Sequence, residues 1–234
     1  MNLLAIDAST EACSVALLFN EQCFQRFELC PQSHSLLLLP MVDEVLKEAN
    51  CQLTQLDGLV FGQGPGSFTG VRIGIGVAQG LAFAANLPMV GVSTLQTMAQ
   101  MAYQQHQKTQ VIAAIDARMS EVYNGYYQLD NQGIMQTVID ESVLPPTQLK
   151  EHIATQTNNI KATYGVGTGW QAYSSALATI IDNQDNIDIL YPHAVAMLTL
   201  AKHKFIKGET VMAENAQPVY VRDTVSWKKL PGRE

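Results

Sequence analysis

Charge is scarce in this chain. Asp, Glu, Lys and Arg supply 15% of its 234 residues, and the balance is acidic, with a formal net charge of −7. A protein that grips phosphates over its own surface needs clustered Lys and Arg. The one such cluster is the ending, Trp227-Lys228-Lys229-Leu230-Pro231-Gly232-Arg233-Glu234. Direct nucleic-acid binding by this chain alone is therefore not expected. The basic tail reads either as a solvated terminus or as a docking segment for an acidic or nucleic-acid partner. Metal and phosphate signatures are also missing. The four cysteines, Cys13, Cys23, Cys30 and Cys51, fall in the first quarter without a CxxC pair, and no Cys/His spacing suits zinc. Cys13 and Cys23 lie in strand-like runs and read as small buried hydrophobes. The scattered His34, His106, His152, His193 and His203 form neither HxxxH nor HExxH, and no Ser-His-acid triad can be argued. No signal peptide precedes the first strand, so a reduced, cytoplasmic protein is expected.

What is abundant is apolar. Hydrophobic residues reach 47%, enough for one large domain or two small lobes. The stretch 61–93, FGQGPGSFTGVRIGIGVAQGLAFAANLPMVGVS, reads as a strand end, a glycine-proline loop and a helix over 67–86. That helix is apolar or small on every side apart from Arg72 and Gln79. A surface helix shows an apolar stripe and a polar back, so this one must be covered all round. Its uncharged run is too short for a bilayer, which needs ~20 apolar residues, and Gly70, Gly74, Gly76 and Gly80 interrupt it. Each glycine costs roughly 1 kcal/mol against alanine, which makes sense where something approaches the helix backbone closely. A buried central helix and a partner-facing helix both fit. A helix over 34–50 favours the second reading. Leu38, Val42, Val45, Leu46 and Ala49 form its core stripe, while Leu36, Leu37 and Met41 fall outside it. Two over-apolar helices suggest an exposed patch, and such patches mark interfaces. The expected partner surface is Leu36, Leu37 and Met41 with Arg72, Ile75 and Gln79.

Strands are expected over 2–7, 12–19, 22–28, 57–61 and 89–92, with a further helix over 93–105. A second unit offers strands over 110–116, 121–129 and 134–139, then a strand near 160–166 and a helix near 193–207. Three antiparallel strands followed by alternating helices and strands, repeated, is the plan of sugar kinases, actin and heat-shock ATPases. The fold class is α/β, an actin-like ATPase (ASKHA) fold with two βββαβαβα-type lobes, the second reduced. The lobes are placed at 1–107 and 108–212, with a tail at 213–234. Asp7-Ala8-Ser9-Thr10 occupies the hairpin turn where that plan meets metal-bound phosphate, although an ordinary Asp-Ser turn fits as well. The loop Gly62-Gln63-Gly64-Pro65-Gly66-Ser67 lacks Gly-Lys-Ser/Thr, and Ser67 stands where GxGxxG needs its third glycine. It reads as structural. Asp116-Ala117-Arg118, ahead of Glu121, could be catalytic but reads better as an ion pair fixing a hairpin. Gly165-Val166-Gly167-Thr168-Gly169 could brush an adenine or simply turn the chain.

The segments LAIDASTEACSVALL (3–18), FGQGPGSFTGVRIGIGVAQGLAFAANLPMVGVSTL (61–95), AAIDARMSEVY (113–123) and AQPVYVRDTVSWKKLPGRE (216–234) give the chain a full-length resemblance to the TsaB (YeaZ) family. The resemblance implies a part in adding threonylcarbamoyl to the adenosine beside the anticodon of tRNA. It implies pairing with the catalytic paralogue TsaD through first-lobe helices, a further TsaE-like ATPase, and homodimers through the same surface. The catalytic relative's HxxxH aligns with Thr94 and Met98, its third ligand, an aspartate, with His193, and its Gly-Gly phosphate turn with Asp116-Ala117-Arg118. Thr and Met replace imidazole ligands poorly, so neither a metal site nor the peptidase activity once attached to the wider family is expected. The reading is a non-catalytic scaffold subunit that meets tRNA only indirectly and no membrane. The alternative is a weak ATPase, with ATP or ADP held at Asp7, Ser9 and Thr10.

Overall fold

A computed structural model describes residues 1–156, 163–178, 180–181 and 186–222. Near-continuous apolar runs, buried on both faces, build most of the first sheet. Strands β1 (Leu3–Asp7), β2 (Ala12–Phe19) and β3 (Gln22–Leu29) form an antiparallel meander, and β4 (Gly58–Gly62) and β5 (Met89–Val92) add in parallel, in the order β3-β2-β1-β4-β5. The register places Leu4 opposite Leu17, Ile6 opposite Val15, and Ile6 beside Phe61. These side chains share one face of the sheet, and α1 (His34–Glu48) and α2 (Phe68–Ala85) cover it. Helix α2 meets the face with Val71, Ile75, Ala78 and Ala82. By length and composition it is the one helix among the described residues that would span a membrane. Here it is a packed layer of the first lobe.

The opposite face of that sheet, with Leu3, Ala5, Ala16, Val60 and Val90, receives α7 (Ala194–Ile206) through Met197, Leu200 and Ala201. Sequence order groups α7 with the second unit, yet it crosses back to the first sheet, and its N-terminal Ala194 N–H donates to Ser14 Oγ at 2.9 Å. Beside it lies α3 (Thr94–His106), whose Leu95, Met98 and Ala99 pack on the second sheet together with Ala196 of α7. Two helices sandwiched between two sheets are buried on both sides, which explains why neither has a clean polar back.

The second sheet is β6 (Gln110–Asp116), β7 (Val122–Leu129), β8 (Met135–Leu144) and β9 (Tyr164–Val166), ordered β8-β7-β6-β9. Its outer face holds Ile112, Ala114, Val122 and Tyr126 and is covered by α4 (Leu149–Gln156), α5 (Gly169–Ala172) and α6 (Ser174–Leu177). Trp170 of α5 is fully buried there and donates its indole N–H to Val166 O at 3.0 Å. The layers run helix, sheet, helix, sheet, helix, as the actin-like plan requires. Strand β8 runs five residues past the expected 139, through a register irregularity opposite Asn124 to Tyr127. The expected strand near 160 begins at Tyr164, and residues 160–162 lie outside the described residues, as does the basic tail from 223 onward.

The tightest joint is between α2 and the β1–β2 turn. A Cβ on Gly66 would sit 2.1 Å from Ser9 O, and one on Gly70 would sit 2.2 Å from Ala8 O. Both obstacles are backbone, so neither can swing away. Gly66→Ala and Gly70→Ala should each cost at least the 1–3 kcal/mol typical of overpacking. Urea denaturation should show a lower midpoint at unchanged slope. Gly74→Ala, whose Cβ would meet Ala8 at an ordinary 3.5 Å, should cost little. A wild-type midpoint for Gly70→Ala would show that helix and turn are not in contact.

Candidate functional site

The turn at the end of β1 is closed on itself. Asp7 Oδ1 accepts from Ser9 N and Ser9 Oγ, both at 3.0 Å. Thr94 Oγ1 donates to Ser9 Oγ at 2.9 Å, Ser67 N donates to Ser9 O at 2.7 Å, and Ala12 N donates to Thr10 Oγ1 at 3.4 Å. Asp7, Ser9, Thr10 and Thr94 are all buried. The structure thus gathers the three residues expected to meet phosphate, but ties most of their polar groups to the turn itself, to Ser67 ahead of α2 and to Thr94 of α3. Asp7 Oδ2 points at Gly62, where a Cβ would lie 1.8 Å away, and has no hydrogen-bond partner among the described residues. Burial raises the Asp7 carboxyl from 3.8 to about 6, against the opposing pull of its Ser9 hydrogen bonds and of His34.

The corresponding turn of the second lobe is filled with side chains. Asp116 Oδ1 accepts from Arg118 N at 3.0 Å and from Tyr173 OH at 2.8 Å. The Arg118 guanidinium does not pair with Asp116. It reaches across the lobes to Glu11 at 3.5 Å. Arg118, Met119 and Ser120 all adopt positive φ, between 54° and 62°, an unusual run for residues with side chains. The ion pair that fixes this hairpin is Glu121 with Arg222, which also donates to Ala117 O at 3.3 Å. The glycine run after β9 serves as a turn, since Gly167 has φ +107° and donates its N–H to Ile189 O at 2.8 Å, and Thr168 Oγ1 accepts from Asp116 N.

A C-terminal segment joins the lobes. Gln79 Nε2 donates to Ala213 O at 2.8 Å and to Ala216 O at 3.1 Å. Val219 N donates to Gln63 O at 2.8 Å, and the Tyr220 and Phe68 rings meet at a tilt, both beneath the Arg72 guanidinium. A cavity of about 470 Å³ opens beside this segment, lined by Gln63, Ser93, Asp140, Glu141 and Tyr220. Burial raises the Glu141 carboxyl, which accepts from Tyr127 OH at 2.6 Å and from Ser93 Oγ. Two carboxyl groups in its wall make that cavity a poor host for a nucleotide. At the positions aligned with the relative's metal ligands, Thr94 and Met98 are wholly buried, and His193 stacks on Phe27 with centroids 5.2 Å apart.

The outer surface of the two helices differs in detail from the expected set. Leu36 is 73% exposed, but Met41 is 5% exposed and Ile75 4%, both in the core. Met41 lies three residues after Leu38 and Ile75 four after Val71, so each shares its helix's buried side. Leu37 packs partly on the core, Arg72 is exposed, and Gln79 is half-buried and bonded to residues 213 and 216. The open apolar groups are Leu36 and Leu39 on α1 and Phe83 on α2, with Gly76 and Gly80 exposed between Arg72 and Phe83. Leu39 and Phe83 were legible, because once 38, 42 and 45 define the buried stripe, 36 and 39 must face away. A second correction concerns cysteine: Cys13 is buried as expected, but Cys23 is exposed. Cys13, Cys30 and His34 bring two thiols and a ring nitrogen within 4.8 Å of one another, all three buried. Scanning for short CxxC pairs missed it, since strand pairing makes the neighbourhood.

A family model described as TsaD, tRNA N6-adenosine threonylcarbamoyltransferase, matches residues 28–229. The tRNA threonylcarbamoyladenosine biosynthesis protein TsaB of Escherichia coli is 49% identical over the full length of both chains. That of Haemophilus influenzae is 44% identical, covering 100% of this chain and 99% of the relative. The solved structure of YeaZ from Pseudomonas aeruginosa superposes with a TM-score of 0.84 at 46% identity, covering 94% of this chain and 99% of that one.

Asp7 yields a stability prediction. The unfolded chain releases this proton near 3.8 and the folded chain only near 6. Ionisation therefore works against folding: the stabilisation is complete below about 3.8 and is lost as pH rises through about 6. Relative to Asp7→Asn, the wild type should lose on the order of 2 kcal/mol between pH 4 and pH 7. Urea denaturation across that range is the measurement, and parallel pH profiles for the two proteins would contradict it.

Proposed function

The chain belongs to the TsaB family of tRNA threonylcarbamoyladenosine biosynthesis proteins, and on that premise we propose that it is a non-catalytic subunit pairing with a TsaD-like transferase. The exposed apolar face of Leu36, Leu39 and Phe83 around Gly76 and Gly80 carries this reading. No Cβ on Gly76 or Gly80 would meet anything within 4 Å. Glycine in an exposed helix interior costs about 1 kcal/mol with no return inside the monomer. The return comes if a partner helix packs against that backbone. The closed Asp7–Thr10 turn and the filled Asp116–Arg118 turn support the absence of catalysis. Phosphoryl chemistry needs donors and a metal aimed at developing charge, whereas here the groups are spent on the fold. A homodimer through the same face, a TsaE-like ATPase joining the pair, tRNA held by other subunits and a cytoplasmic setting complete the proposal.

Gly76→Ala and Gly80→Ala should each stabilise the isolated chain by about 0.5–1 kcal/mol in thermal or urea unfolding. Both should weaken association with the TsaD-like paralogue. Leu36→Asp and Phe83→Asp should leave the monomer folded and reduce association at least tenfold, about 1.4 kcal/mol. Reconstituted tRNA modification should fall in step. Sedimentation of these variants at wild-type affinity would refute the assigned face. Sustained ATP turnover by the isolated chain, abolished by Asp7→Ala without loss of fold, would favour the weak ATPase instead.

A further inference from the structure

Cys13 lies on β2, Cys30 directly follows β3, and His34 opens α1. The register pairs Ala12 with Leu29 and Cys13 with Glu28, while Cys30 N donates to Glu11 O at 2.9 Å. The two cysteines are therefore diagonal neighbours on one face of the hairpin. After Cys30 the chain reverses: Ser33 N donates to Cys30 O at 3.0 Å, and Gln32 adopts φ +67°. This brings His34 back over the pair. Its Nε2 lies 2.7 Å from Thr10 O. A carbonyl can only accept, so Nε2 carries a proton, and in the neutral form of the ring the lone pair lies on Nδ1. Donating the second ring N–H to a backbone carbonyl is the arrangement that orients metal-binding histidines.

We propose that Cys13, Cys30 and His34 form a buried site for a thiophilic divalent cation, zinc above all. A tetrahedral zinc, with Zn–S of about 2.3 Å and Zn–N of about 2.0 Å, separates its ligand atoms by about 3.5–3.8 Å. The three donor atoms already lie within 4.8 Å of one another, about 1 Å wider than that. A disulfide fits less well. Diagonal partners on a hairpin stand about 7–8 Å apart, their Cβ atoms somewhat less, whereas a disulfide needs Cα atoms within about 4.4–6.8 Å. A metal spans that gap and a direct S–S bond does not. Charge also agrees: two thiolates, a neutral imidazole and a divalent ion sum to zero, the cheapest balance for a buried site. Binding replaces two S–H bonds with two S–metal bonds and releases two protons to water. Because both thiols must lose their protons to bind, uptake must rise with pH. Because the site is closed, metal enters as the chain folds. The ion would staple β2, β3 and the first turn of α1, just before Leu36 and Leu39.

The test uses the full chain without an affinity tag, refolded under reducing conditions with Co²⁺ or Zn²⁺. The expected result is one equivalent of Co²⁺ per chain, with an intense thiolate-to-cobalt charge-transfer band. Cys13→Ser and Cys30→Ser should abolish the band, while Cys23→Ser and Cys51→Ser keep it. His34→Gln should keep a thiolate band and weaken affinity at least tenfold. Refolding with Zn²⁺ should raise the unfolding temperature of the wild type and leave that of Cys30→Ser unchanged. A wild-type chain that refolds to its native circular dichroism and shows no such band overturns the proposal, whether or not the variants fold. Equal uptake by a Cys13→Ser/Cys30→Ser double variant overturns it as well.

Discussion

The rest of the first lobe depends on the contact between the first turns of α2 and the β1–β2 turn. Ser9 O and Ala8 O press against the helix backbone where only Gly66 and Gly70 leave room. That contact fixes the helix against the sheet and consumes Ser67 N. It also lowers a lid over the place where an actin-like ATPase would keep room for phosphate. The cost of desolvating Asp7 follows from the same closure. The turn is thus part of the packing of the first lobe, and the glycines permit it.

With one side of α2 committed to the turn and sheet, the other side is decided by default. The helix repeats its small residues every four positions. Gly70 and Gly74 look inward, and Gly76 and Gly80 look outward. The same chemistry therefore serves two unlike contacts, one within the fold and one left open. Phe83 on α2 and the outward Leu36 and Leu39 on α1 are likewise left uncovered by the described residues.

Elements were largely legible: β2, β5 and β6 fall where the short apolar runs placed them. Sequence could not show which layer a doubly buried helix joins. α7 is apolar on both sides because it touches both sheets, and periodicity carries no trace of which sheet dominates. Met41 and Ile75 were misplaced for a related reason. When nearly every position is apolar, the stripe must be phased by its best-buried members, and Leu38 and Val71 set that phase. The turns at Asp7 and Asp116 were legible as places, but their partners came from distant residues, Thr94, Tyr173, Glu11 and Arg222. The cysteine cluster is the extreme case, since its members are 17 and 4 residues apart and meet only through strand pairing.

The segment from Ala213 to Arg222 has a mechanical meaning. It is moored to α2 through Gln79, to the glycine loop through Val219, and to the second lobe through Arg222. A strip of chain laced across both lobes, with Arg118 bridging to Glu11 nearby, restrains rotation of one lobe against the other. A surface held in one arrangement loses little conformational entropy when another molecule settles on it.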